Sequence, residues 1–196
     1  MFRLKSIFTA LAFIVATPLA LPTLATAQTN VIVIDRAQIF AQSKAGQDVV
    51  TKVRGIETTM QTELQPTANQ LGTEGQALQT KAEGKTQQQV LADPALKAEV
   101  EAYARKTTQF NRDRQIASQE LALTERKALI DFNNALVPVL REVIAETGAN
   151  VILDKSQVVF VDDATDATQS VITKLDASTP TITVVRQTLP TQQPQQ

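Results

Sequence analysis

The chain has 196 residues, of which 43% are hydrophobic but only 4% aromatic, and it contains no Cys, His or Trp. The lack of Cys and His excludes an ordinary transition-metal centre and a Cys or Ser–His nucleophile. The 19 basic and 20 acidic residues nearly balance, which argues against a strongly basic nucleic-acid-binding protein.

The N-terminus has the pattern of an export signal. Arg3 and Lys5 precede an apolar run over residues 7–16, and Ala25-Thr26-Ala27 supplies the small residues that a signal peptidase accepts. We expect a cleaved signal peptide over residues 1–27, with cleavage after Ala25 as the close alternative. An uncleaved anchor is the other interpretation, but the run is short and is followed by prolines. The exported chain would keep 17 of its 19 basic residues against 20 acidic ones, a net charge of −3, with no disulfide to stabilise it.

Three β-branched runs predict a small sheet built from the two ends of the exported chain. Residues 31–34 form such a run, which is typical of a strand buried on both faces. Gly148 ends a long helical stretch, after which residues 151–153 and 158–161 flank a short polar turn and predict two further strands. Residues 167–176 then predict a short helix with one apolar face.

The C-terminal region divides into two parts. Beyond Pro180, residues 181–186 have the composition of an edge strand. The end of the chain, within residues 181–196, is rich in Pro and Gln and is typical of a disordered tail.

The middle of the chain, residues 46–147, is rich in Ala, Gln, Glu, Lys and Leu and predicts two long helices. Apolar residues recur at alternating spacings of three and four, the seam pattern of a coiled coil. Gly84 and the Asp93-Pro94 pair mark a turn between the helices, so we expect an antiparallel hairpin, with Pro66 inside its first helix. The predicted seam residues are Leu64, Leu71, Leu78, Tyr103 and Phe110. Apolar residues off the seam are available to contact a partner: Ile116, Leu123, Leu129 and Ile130.

No motif in the sequence favours an enzyme. Gly84-Lys85-Thr86 resembles the end of a phosphate loop, but Gln79 stands where the motif needs a glycine, and a helix rather than a strand precedes it. Asp35 and Asp154 each follow an apolar strand, yet no nucleophile or pocket is indicated near them. We therefore predict no catalytic residue and no cofactor.

Two charged clusters can be explained without a binding site. The acidic one comprises Asp162, Asp163 and Asp166, and the basic one comprises Arg105, Lys106, Arg112 and Arg114. The acidic cluster lacks the glycine and the distal glutamate of a calcium loop, so helix capping is favoured over a metal site. The basic cluster is diluted by nearby carboxylates, so a solvated helix face is favoured, with a weak peripheral membrane contact as the alternative and no nucleic-acid partner.

The order of these features resembles the OmpH/Skp family of periplasmic chaperones. The resemblance rests on the Val31-Ile32-Val33-Ile34-Asp35 strand after a signal peptide, on residues 148–155 after a long charged helix, on residues 158–161, and on the helix start at Asp166. It covers about residues 30–177. The family implies a trimer shaped like a jellyfish, in which a small β body carries three helical-hairpin arms around a cavity. Its members hold unfolded outer-membrane proteins in the periplasm without ATP.

By this resemblance the chain has an α+β fold, with residues 28–45 and 148–180 in the oligomerisation body and residues 46–147 in the arm. The body residues would be Val31, Val33, Ile152, Val159 and Val161. One hairpin and a few strands bury little surface alone, which also favours a homotrimer. The alternative function is a structural or adaptor coiled coil of the cell envelope. Two features depart from the family pattern: the exported chain is slightly acidic, whereas the best-known member is strongly basic, and the tail after Asp176 is longer.

Overall fold

The computed structural model describes residues 29–190, so the expected signal peptide and the last six residues lie outside the described part. The described residues form two strands, β1 (Val31–Ile34) and β2 (Val151–Asp154). The same residues form five α-helices: α1 (Arg36–Gln42), α2 (Lys44–Ala82), α3 (Gln87–Ala92), α4 (Pro94–Thr147) and α5 (Thr168–Ser178). A short 3₁₀ turn, Lys155–Gln157, follows β2.

The sheet joins the two ends of the described chain. β1 and β2 pair in parallel, with Val31 opposite Val151 and Val33 opposite Leu153. Parallel strands need a long crossover connection, and here the whole helical hairpin is that connection. On its other side β1 meets residues 165–167, because the Val33 N–H donates to the Thr165 carbonyl (2.9 Å) and the Val33 carbonyl accepts from the Ala167 N–H (2.9 Å).

The hydrophobic core lies where the hairpin meets the sheet. Ile39 of α1, Phe132 and Val143 of α4, and Leu175 of α5 are at most 2% exposed. Phe40 packs edge-on against Phe132, with ring centroids 4.9 Å apart and an interplanar angle of 86°, an arrangement that adds to simple burial. Two of the eight aromatic residues of the protein therefore join α1 to α4.

The hairpin is formed by α2 and α4, which have 39 and 54 residues. At 1.5 Å per residue they are about 60 and 80 Å long. Thr86 and Gln89 form a capping box at the start of α3, and Asp93 caps α4 by accepting from the N–H groups of Ala95 and Leu96. Pro66 and Pro138 lie inside helices that continue past them.

Two segments with strand composition do not form strands. Residues 158–161 form a partly exposed connection, because no strand within residues 29–190 pairs with them. Residues 181–186 also pair with no strand. They pack instead across the hairpin, where side chains of α2 bind their backbone. The predicted edge strand is therefore wrong, and the region has a different role in the fold.

The acidic cluster after β2 caps turns. Asp162 accepts from the N–H of Ala164, and Asp166 accepts from the N–H of Thr168 and from the ammonium of Lys155. Within residues 29–190, no group of acidic side chains is arranged to hold a metal ion. No helix in that range is both long and apolar enough to cross a membrane.

Candidate interaction surfaces

The first candidate surface, which we call the body face, consists of exposed apolar side chains after and along β2. Val159 is fully exposed and Phe160 is 80% exposed, while Val151 and Leu153 are more than one-third exposed. Among residues 29–190, β2 pairs with β1 on one side, and no strand pairs with its other edge. Exposed apolar groups beside an open strand edge are typical of a surface that binds another chain.

The connection that carries Val159 and Phe160 is fixed at both ends. Asp154 accepts hydrogen bonds from the N–H and the hydroxyl of Ser156 (2.9 and 2.6 Å), which lower the pKa of Asp154. Lys155 donates to Asp166 at 2.7 Å, and this contact lowers the pKa of Asp166 to about 2 and raises that of Lys155. The connection is therefore held as a defined projection from the body.

The predicted body residues differ in how much of their surface is exposed. Val33 is 4% exposed and lies inside the protomer between β2 and residues 165–167. Val31, Ile152 and Val161 are half-buried, and Val159 is fully exposed. The most exposed aromatic of the body, Phe160, lies in a predicted segment but was not among the predicted site residues.

The second candidate surface is a row of apolar residues along α4, which we call the α4 stripe. Ile116, Leu123, Ile130 and Val137 are 38–46% exposed and lie seven residues apart. Seven residues are nearly two helical turns, so successive members drift by only about 20° and form a nearly straight line about 30 Å long. Three of the four off-seam residues singled out in the sequence thus share one face with Val137.

Leu129 is on a different face of α4. It is 49% exposed and lines a groove of about 390 Å³ with four apolar residues of α1 and α2. Those residues are Phe40, Val49, Val50 and Val53. Arg54, Glu57 and Glu125 stand at the rim. The predicted contact residues therefore form two separate surfaces.

The predicted seam residues face the opposite helix to different degrees. Leu71 is 7% exposed, and the other four seam residues, Leu64, Leu78, Tyr103 and Phe110, are half-buried. Leu64 and Phe110 line one shallow depression, and Leu78 and Tyr103 line another. The thin seam leaves the outer arm lightly packed.

The basic cluster of α4 makes contacts within the hairpin. Lys106 donates to Glu74 of the opposite helix at 2.6 Å and lowers the pKa of that carboxyl. Arg114 lies 6.0 Å from the centre of the Phe110 ring, a distance at which a cation and an aromatic face attract. These contacts favour the interpretation of a solvated, internally paired helix face.

The third candidate surface is the groove between α2 and α4 that residues 179–189 occupy. We call this segment the strap. Ile182 is buried and Val184 and Arg186 are half-buried, whereas Thr181, Thr183 and Val185 are exposed. The strap therefore has the alternation of a half-buried strand, although helices rather than a sheet cover its inner side.

One carboxylate and one lysine hold the first half of the strap. The Ile182 N–H donates to Asp48 (2.9 Å), and the Ile182 carbonyl accepts from Lys52 (2.7 Å). Asp48 and Lys52 also form an ion pair at 2.6 Å, which lowers the pKa of Asp48. Both polar groups of the Ile182 backbone are thus satisfied while its side chain is buried.

Arg186 joins the two arm helices. Its guanidinium donates to Glu63 of α2 (2.7 Å) and, through two nitrogens, to Glu120 of α4 (2.9 and 3.1 Å), which raises the pKa of Arg186. Glu120 is only 6% exposed, and its other oxygen accepts from the Leu189 N–H at 3.1 Å. Burial of such a charge is tolerable because it is paired and fully hydrogen-bonded.

The strap also satisfies Thr124, which is completely buried in α4. The Thr124 hydroxyl donates to the Glu120 carbonyl (2.7 Å) and accepts from the Gln187 N–H (2.9 Å). Sequence reasoning missed Glu120 and Thr124. The available signal was their position beside the apolar residues Ala117, Leu121 and Ala128 of α4, a pattern that also fits a solvated helix face.

Comparison with known proteins connects this architecture to one family. The family model described as "Outer membrane protein (OmpH-like)" matches residues 30–175. The chain is also similar to a crystal structure from Caulobacter crescentus CB15, described as a candidate OmpH-like outer membrane chaperone. The two share 26% identity and a TM-score of 0.72 over 83% of this chain and 93% of that one. None of the curated proteins matches. The family match contains the body and the arm and ends before the strap.

Proposed function

Because the chain belongs to the OmpH-like outer membrane protein family, we propose that it is an ATP-independent holdase of the periplasm that keeps unfolded outer-membrane proteins from aggregating. The proposed activity is reversible binding, with no catalytic step. The observation that carries it is the α4 stripe: a row of exposed apolar side chains along a thin, charged hairpin. Such a surface is suited to many weak apolar contacts rather than to one shaped ligand.

The affinity of a single arm for an unfolded chain is expected to be low. The four stripe residues retain about two-fifths of their surface, and burying it would contribute about 1 kcal/mol each, or about 4 kcal/mol in all. That free energy corresponds to a dissociation constant in the millimolar range. Useful affinity then requires several arms that act together through a high effective concentration.

We propose that three protomers assemble through their body faces to provide those arms. Val159 and Phe160 project from the body, and the open edge of β2 lies beside them. Pairing of residues 158–161 with a neighbouring subunit would bury these apolar side chains and satisfy an extended backbone. The three hairpins would then surround a shared cavity, as the resemblance implies. The export signal predicted for residues 1–27 is consistent with a periplasmic location.

The experiment is an aggregation assay with a denatured outer-membrane barrel protein diluted into buffer without nucleotide. The unmodified protein should lower light scattering in proportion to its concentration. A triple variant, Ile116→Ser, Leu123→Ser and Ile130→Ser, should protect several-fold less well because it loses most of the stripe.

A matched control places serine on the same helix but off the stripe. Gln115→Ser and Ala122→Ser each lie one residue before a stripe position, about 100° around the helix, and both sites are exposed. This control should protect like the unmodified protein. An adaptor coiled coil would leave aggregation unchanged in every case, and that result would refute the proposal.

A further inference from the structure

The strap is seated on the hairpin in the way that an extended peptide is seated on a receptor. Its inward side chains alternate with outward ones, and its backbone is bound by side chains of Asp48, Lys52, Thr124 and Glu120 rather than by a strand ladder. The groove thus recognises an extended backbone without requiring a particular sequence at the outward positions. Main-chain contacts combined with alternate side-chain pockets are a recurring mode of peptide recognition.

The groove also presents charge to the strap. Asp48 is paired with Lys52 of the same helix, whereas Glu63 of α2 and Glu120 of α4 are paired with the one cation of the strap, Arg186. Arg186 lies four residues after the buried Ile182 and two after Val184. The groove therefore fits a segment in which two apolar residues, two positions apart, are followed after two more positions by a basic residue.

We propose that this groove is a second client-binding site for extended, amphipathic segments of unfolded β-barrel proteins, and that the strap fills it in their absence. Barrel strands alternate apolar and polar side chains, as the strap does. This inference rests on the proposed holdase function, because it names part of the surface that would bind clients. Unlike the α4 stripe, the site is already occupied in the free chain, so binding requires displacement.

The contacts of the strap are compatible with displacement. Apart from Ile182, its inward side chains Val184, Arg186 and Leu189 are only half-buried. A pocket of about 510 Å³ remains open beside Val184 and Arg186, lined by Gly55, Ile56 and Thr59 of α2. An incoming segment thus has a place to bind before the strap has left completely.

A direct binding experiment tests the groove independently of chaperone activity. A fluorescent peptide with the sequence of residues 179–190 is titrated into the full chain and into a full-chain variant with a weakened strap, Ile182→Ser with Arg186→Gln. The variant should bind the peptide about tenfold more tightly, because the tethered competitor has lost its anchors. A peptide of the same composition without the alternation should bind to neither protein. Equal, weak binding of the first peptide to both chains would overturn the proposal.

A reversible lock then tests displacement during client binding. The chain has no native cysteine, so Thr59→Cys with Val184→Cys introduces one unique pair around the same pocket. A short bifunctional methanethiosulfonate linker would join the strap to α2, with mass spectrometry to confirm the link. The locked chain should protect the unfolded barrel several-fold less well, and reduction should restore protection. The control is the Thr59→Cys chain treated identically.

The two proposals fail in different ways. If the locked and the reduced chains protect equally well, the strap is not displaced and the inference is wrong, while the holdase function stands. If neither protects but the peptide binds to the weakened-strap variant, the groove is a peptide site and the holdase proposal is wrong.

Discussion

Replacing Phe160 by serine is expected to dissociate the proposed trimer while leaving each protomer folded. Phe160 is 80% exposed in the single chain, so a polar side chain at this position costs the protomer little. Val33→Asp does not separate the two effects. Val33 is 4% exposed inside the body, where a carboxylate would disrupt the protomer itself.

The size of the effect follows from the number of copies. Burying a phenylalanine against a neighbouring subunit contributes about 2 kcal/mol, so three copies contribute about 6 kcal/mol to one trimer. Since 1.4 kcal/mol is a factor of ten, the trimer dissociation constant should rise about 10⁴-fold. The dissociation constant of a trimer into three protomers scales as the square of the midpoint concentration of assembly. That midpoint should therefore rise by about the square root of 10⁴, roughly a hundredfold.

Native mass spectrometry and sedimentation velocity over several decades of concentration measure that midpoint, and far-ultraviolet circular dichroism checks that the helices persist. Two control variants test whether the effect is specific to an apolar side chain on the body face. Phe160→Leu keeps an apolar side chain and should shift the midpoint only slightly. Leu91→Ser removes another exposed apolar group, at the hairpin tip, where Leu91 is 56% exposed, and should not shift the midpoint. An unchanged midpoint for Phe160→Ser would show that the body face is not the assembly surface.

Three further predictions concern the arm and the body. Leu71→Gln places a polar group at a seam position that is 7% exposed; it should destabilise the arm by about 2 kcal/mol, seen as earlier thermal loss of helical signal at an unchanged oligomeric state. The pKa of Asp166 is lowered to about 2 by the hydrogen bond from Lys155, so its stabilising effect is present above the unfolded pKa near 3.8 and is lost as pH falls towards 2. Thermal unfolding should therefore depend less steeply on pH between 4 and 2 in Asp166→Asn than in the unmodified protein. Gly72→Ala meets no atom within 4 Å and should stabilise the helix by up to about 1 kcal/mol. Gly75→Ala would place its methyl 2.8 Å from a tyrosine hydroxyl and should gain less; an equal gain would mean that the seam does not hold that ring.

The hairpin and the paired strands could be predicted because their signals are local. Gly84 and Gly148 both adopt positive φ angles, 76° and 64°, where glycine is the favoured residue, and both follow a helical stretch. The Asp93-Pro94 pair starts α4 as a capping residue followed by proline. The continuous apolar run at Val31–Ile34 indicated burial on both faces, and in the structure Ile32, Val33 and Ile34 are all at most 5% exposed.

The partners of the other two β-like segments could not be predicted from composition. β-branched residues show that an extended backbone is favoured, but they do not show which edge or surface will satisfy it. Residues 158–161 pair with no strand in the described part of the chain, and the backbone of residues 181–186 is bound by carboxylate and ammonium groups of α2. Those groups belong to Asp48 and Lys52, which are more than one hundred residues away from the strap in the sequence. Because Asp48 and Lys52 are four residues apart, the sequence alone also fits an ordinary ion pair on a helix surface.

The position of the strap has a consequence for where the arm can bend. The last cross-helix anchors of the strap are Glu63 of α2 and Glu120 of α4. Glu63 lies three residues before Pro66, which cannot donate the helical hydrogen bond to the Thr62 carbonyl. From the body to this point, strap, α2 and α4 are joined by buried and charge-assisted contacts. Beyond it, the buried Leu71 and Leu96, otherwise half-buried seam residues and exposed ion pairs hold the hairpin, and exposed ion pairs contribute little each. Bending should therefore concentrate beyond the strap, and a client that displaces the strap would extend the flexible part of the arm towards the body. In the proposed arrangement, occupation of the groove and bending of the arm are coupled, because the contact between Arg186 and Glu120 both holds the strap in the groove and joins the strap to α4.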